Sequence, residues 1–160
     1  MRDLDELSEI EILEIRELVT RFEGTWVNSI EPSKNEIDAV TNLNNDQCAH
    51  YGLIRIAVTG RVFRASDDDG TIFHKYPNGD ESIPFYPAEA WLYLDLQAEY
   101  PEARAIEMET KYFVDRYLKR MEKDQLYAEI LALPQNKALL VMPSLAETIL
   151  VAIQAEISAK

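Results

Sequence analysis

The chain has 160 residues, 47% of them hydrophobic and 28% charged, which fits one globular domain and excludes wholesale disorder. A chain of this size buries about 70% of the surface its unfolded form exposes, so no disulfide or metal staple is required. Its 16 basic against 29 acidic side chains give a net charge of -13, an excess that repels phosphate backbones and anionic lipid and draws in basic partners at low salt.

The single cysteine, Cys48, excludes an intrachain disulfide and any multi-cysteine zinc or iron–sulfur site. The opening Met1-Arg2-Asp3-Leu4-Asp5-Glu6 is acidic where a secretory signal is basic, and no run of about 18 apolar residues exists to span a membrane. A cytoplasmic location without a membrane partner is therefore expected.

In chain order, residues 3–23 read as an amphipathic helix, with Ile12, Ile15, Leu18, Val19 and Phe22 on one stripe and Gly24 as its stop. The stretch 25–30 alternates weakly and reads as a short edge strand. Ser33 with Glu36 forms a capping-box pattern that starts a short helix, broken at Leu43-Asn44-Asn45-Asp46.

The next segment has two readings with different functional consequences. If 46–57 is helical, the preceding helix, a turn, this helix and a hairpin over 60–76 spell a winged helix-turn-helix with Asp67–Gly70 at the wing tip. If Gly52–Val58 is a strand, the motif dissolves. Ile54, Ile56 and Val58 are β-branched at every second position, and Gly52 weakens a helix interior, which favours the strand. On that reading Gly52–Val58 pairs with Arg61–Ala65 across Thr59-Gly60, and Asp69-Gly70 and Asn78-Gly79 supply the later turns of a meander ending at the prolines Pro84 and Pro87.

Beyond it, 88–98 reads as a deeply buried helix, 102–121 as the longest helix, and 125–133 as a further helix ending before Pro134. The apolar run 137–142 is either a late strand or a buried helical turn. Ser144 and Glu147 form a second capping box for a last helix whose buried stripe is Ile149, Ile153 and Ile157. The predicted fold is α+β: an N-terminal helix, a small mainly antiparallel β-meander over about 51–86 and a helical C-terminal half, in one domain of residues 1–160.

The search for chemistry yields no specific motif. His50 and His74 are too few for a histidine metal site, and neither lies in a His-Glu-x-x-His pattern, so no metal or other cofactor is expected. His74 near Asp80 or Glu81 has the chemistry of a base. In the EF-hand register that puts Gly70 at the loop's glycine position, Ala65 and Tyr76 fall where carboxylates are required, so Asp67–Gly70 is read as a turn. Glycine-rich phosphate loops and the Gly-x-Ser-x-Gly elbow are absent from the sequence.

Charge therefore carries the functional reading. Residues 67–86 hold Asp67, Asp68, Asp69, Asp80 and Glu81 against Lys75, and these five carboxylates are the expected docking surface for a basic protein partner. The corresponding role is an acidic, non-catalytic binding module of the inhibitor, immunity or anti-defence kind. Arg55, Arg61 and Arg64 form the basic concentration of the meander and a candidate anion-binding face. The alternatives are a winged helix-turn-helix regulator with a helical dimerisation half, disfavoured because the acidic wing repels nucleic acid, and a small hydrolase or transferase built on His74. A homodimer is compatible with the sequence, which does not fix the oligomeric state.

Overall fold

The computed structural model describes Leu13, Glu17, Asn42, residues 44–131, 138–141 and 143–158. The predicted elements at 3–23, 25–30 and 33–43 lie essentially outside the described residues. What is described is an α+β arrangement in which a mostly antiparallel sheet of seven strands is packed with helices.

Helix α1, Asn45–Thr59, occupies the segment expected as the meander's first strand. Its side chains explain the correction. Tyr51, Leu53, Ile54, Arg55 and Ile56 are all at most 1% exposed, so over these residues the helix is enclosed on every side and needs no amphipathic period. β-branched residues then serve as packing volume, and tertiary burial overrides their strand preference. The helix ends at Gly60, whose φ of +74° favours glycine, and Thr59 Oγ1 donates to the Arg55 carbonyl at 2.8 Å.

Strand β1, Arg61–Asp67, is the centre of the meander. On one flank it pairs antiparallel with β5, Arg104–Glu109, in a register from Arg61↔Glu109 to Ser66↔Arg104. Its other flank meets β4, Glu81–Tyr86, at Phe63↔Tyr86 and Arg64↔Phe85. The short strands β2, Gly70–Thr71, and β3, His74–Lys75, fill the place where β1 and β4 diverge, pairing with β1 and β4 respectively. Strand β6, Tyr127–Leu131, adds parallel to the far flank of β4, and β7, Ala138–Val141, adds antiparallel to β6.

Two further expectations are corrected here. Residues 102–121 are not one helix: Arg104–Glu109 is strand β5, and helix α3 begins only at Thr110. Residues 125–133 are not helical either, since Tyr127–Leu131 is β6, with Ala128 and Ile130 fully buried. The late strand at 137–142 is observed as β7, and the last helix, α4, runs Pro143–Ser158 with Ile149 and Ile153 in the core.

Helix α2, Glu89–Leu96, buries Trp91, Leu92 and Leu96 and leaves Leu94 outward. Helix α3 spans 110–123 and is α-helical over Thr110–Tyr112 and Leu118–Lys123 with a π-helical stretch, Phe113–Tyr117, between them. Thr110 ties its start to the end of α1, donating from its backbone to Gly60 and from Oγ1 to Ile56. Phe113 and Tyr117 then pack edge-on against Phe85 of β4, with ring centroids 4.7 and 5.9 Å apart.

Candidate functional site

The meander's directions decide where its acids go. Because β4 is antiparallel to β1, its first residue, Glu81, lies at the end of the sheet where β1 finishes with Asp67. The Asp67–Gly70 turn and the 76–80 turn therefore lie at the same end of the sheet, the first carrying Asp67, Asp68 and Asp69 and the second leading through Asp80 into Glu81, with β2 and β3 between them; together they are called the rim.

Both turns are held by their own side chains. Asp67 Oδ1 accepts from the Asp69 backbone N–H at 2.9 Å, and Asn78 caps its turn by accepting from the Asp80 N–H at 3.0 Å and donating to Asp80 Oδ2 at 2.8 Å. Gly70 and Gly79 supply the positive φ these turns require. Among the described residues the rim has one ion pair, Arg104 to Asp68 at 3.7 Å, and Asp68 remains 85% exposed in it. Such a pair is worth ~0–1 kcal/mol, so the negative charge is left facing solvent. Beside it Asp80 and Glu81 join Glu122 and Asp124 around a notch of about 440 Å³, floored by Leu126, Tyr127 and Pro143.

The structure does not bring the three meander arginines together. Arg55 is fully buried in α1; Arg61 is exposed and paired with Glu107 at 3.0 Å; Arg64 points from β1 towards α3, with its guanidinium carbon 5.7 Å over the Tyr117 ring. Arg61 and Arg64 also fall on opposite faces, because strand side chains alternate. The helix that would serve as a recognition helix is observed, yet the basic side chains within 46–57, His50 and Arg55, are buried at 6% and 0% exposure and are unavailable to a DNA groove.

His74 has a different partner from the one expected. Its Nδ1 lies 2.8 Å from Glu129 Oε2, on the neighbouring β6 side of β4, and not against Asp80 or Glu81. The same oxygen accepts from Ser82 Oγ at 3.0 Å and from the Tyr76 hydroxyl at 3.3 Å. The hydrogen bond to Glu129 holds the imidazole above its ordinary range despite burial, with added attraction from Glu129, Asp95 and Glu99. Burial pushes Glu129 up, but the His74 bond and charge, with Ser82 and Tyr76, outweigh it and hold the carboxyl below its ordinary range. Both shifts favour the charged pair, an imidazolium against a carboxylate. The Ser82 and Tyr76 hydroxyls are both turned to the carboxylate and not to the imidazole.

Nearby, the Tyr86 hydroxyl donates to Asp95 Oδ2. Burial raises both groups, with Asp95 further raising Tyr86, so the phenol stays protonated as the donor. Glu129, Ser82, Tyr76 and Asp95 were missed at the level of sequence. The one available signal was Glu129 itself, an acid amid the apolar residues Ala128, Ile130 and Leu131.

Among the described residues, three or more His, Cys, Asp or Glu side chains are nowhere grouped to hold a metal ion, and no helix is long and apolar enough to cross a membrane. Comparison with protein-family models, curated proteins and solved structures gives no match. The class established is thus the architecture, an α+β sheet with packed helices, and function must be argued from the site.

Proposed function

We propose that this protein is an acidic, non-catalytic binding module that docks its carboxylate rim on a basic surface of a protein partner, in the manner of an inhibitor or immunity protein, in the cytoplasm. The observation that supports the reading is the placement of two acidic turns at the same end of the sheet with a single exposed pair to offset them among the described residues. Charge so placed contributes little to folding, yet it raises association rates by about 10–10³-fold with a complementary partner. The notch beside the rim suits an inserted lysine or arginine, since its floor takes the apolar stem and its four carboxylates take the head.

The test is affinity capture from the native host with wild type and with a variant carrying D67N, D68N, D69N, D80N and E81Q. The expected result is a protein with a basic surface that wild type retains at low salt, releases at high salt, and that the variant fails to retain. A partner captured equally by both chains would remove the rim from the mechanism.

A further inference from the structure

On the sheet face that carries Arg64, a cleft of about 710 Å³ opens between the meander and helix α3. Its chemistry is opposite to that of the rim. Arg64, Arg116 and Arg120 line it, with Asp124 as its lining acid, and Asp124 is not in ion-pair contact with any of the three among the described residues. In a chain with 29 acidic side chains, three arginines around one cleft without a carboxylate partner among the described residues call for an explanation.

Arg64 is the most constrained of them. Its Nη1 donates to Thr71 Oγ1 at 3.0 Å and its guanidinium carbon lies 5.7 Å over the Tyr117 ring, which together fix the guanidinium at the cleft wall. Arg116 and Arg120 stand one helical turn apart, where like charges repel, and both are exposed. The π-helical stretch Phe113–Tyr117 ends at this wall and contains Arg116 and Tyr117; such stretches occur frequently at functional sites. Phe73 and Tyr112, exposed by 37% and 49%, present apolar surface on the same cleft.

We propose that this cleft binds a small ligand carrying a phosphate or carboxylate on a flat apolar body. Arg64, Arg116 and Arg120 take the anionic group, and Phe73 and Tyr112 pack on the flat body. Guanidinium groups suit this role because their planar forks match either oxyanion in bidentate fashion. The cleft shares Asp124 and Leu126 with the notch beside Asp80 and Glu81, but the assignment rests on the three arginines and not on the proposed docking role.

The experiment is calorimetric titration of the full chain at low salt with adenosine 5′-monophosphate, 1-naphthoate, inorganic phosphate and adenosine. The expected result is saturable binding of adenosine 5′-monophosphate or 1-naphthoate, with inorganic phosphate at least tenfold weaker and adenosine without effect. The stronger of the first two identifies the oxyanion. R64Q should weaken that binding at least tenfold. R116Q and R120Q, at exposed positions where folding is not at issue, should each weaken it several-fold. Absence of saturable binding by both anions, or binding unchanged in R116Q and R120Q, would overturn the assignment.

Discussion

Replacing Glu129 by Gln keeps the volume of the side chain and an acceptor oxygen but removes the charge that holds His74 protonated. Breaking a fully buried ion pair costs about 3–5 kcal/mol, and a surface pair ~0–1 kcal/mol. This pair lies between, with side-chain exposures of 25% for His74 and 10% for Glu129, and the imidazolium can escape the loss by releasing its proton. A cost of about 2 kcal/mol at pH 6 follows, or roughly 4–8 °C in melting temperature for a chain of this length. At a pH above the raised His74 value, where the imidazole is neutral in both proteins, only hydrogen-bond quality differs and the cost falls to about 1 kcal/mol.

The pH dependence has a definite sign. His74 is raised above 6.5, so its contribution is complete below 6.5 and is lost as pH rises through the raised value. Glu129 is lowered below 4.5, so its contribution is complete above 4.5 and is lost as pH falls through the lowered value. The pair stabilises most between those limits. Asp95, raised by burial, also loses stability as pH rises through its own folded value, and an Asp95→Asn background separates the two effects. The assay is urea unfolding across pH 5–9. An E129Q protein with the wild-type midpoint at pH 6, or with the wild-type decline above pH 6.5 intact, would refute the assignment of that slope to this pair.

Three other outcomes are expected. The triple variant D67N, D68N, D69N should keep the wild-type melting temperature, because the amide oxygen that D67N introduces preserves the acceptor for the backbone N–H of residue 69, while partner capture measured by stopped flow slows at low salt and converges with wild type as the Debye length approaches ~3 Å at molar salt. Gly60→Ala should destabilise by about 1–2 kcal/mol from backbone strain alone, since φ is +74° and the added Cβ meets nothing within 4 Å; chemical denaturation reads this directly. Phe85→Ala, which empties the position packed by Phe113 and Tyr117, should cost about 3–5 kcal/mol by the same measurement.

The α+β class, the turns at Asp69-Gly70 and Asn78-Gly79, the strand from Arg61 and the last helix were legible because turn residues and capping patterns act locally. The strand reading of Gly52–Val58 failed because Ile54 and Ile56 alternate as strand residues do, whereas burial of every residue from His50 to Ile56 erases the helical period there. Strand β5 was hidden for the converse reason. Arg104, Glu107 and Glu109 suit a helix, and only pairing with β1 makes them extended. The acidic rim could be named from charge density, but the placement of both turns at one end of the sheet depends on the antiparallel register of β1 and β4. His74 was singled out while its partner was not, because Glu129 arrives through the parallel pairing of β6, a contact that no local spacing encodes.

That parallel pairing also orders the assembly of the chain. β1 through β4 are joined by short turns and can close on one another as soon as Tyr86 is made, but the far flank of β4 then offers a row of unpaired backbone groups until Tyr127–Leu131 arrives. Helix α2, strand β5 and helix α3 must all be synthesised first. During that interval the open flank of β4, with Ile83 and Phe85 upon it, is where a second nascent chain would add, and misassembly should begin there.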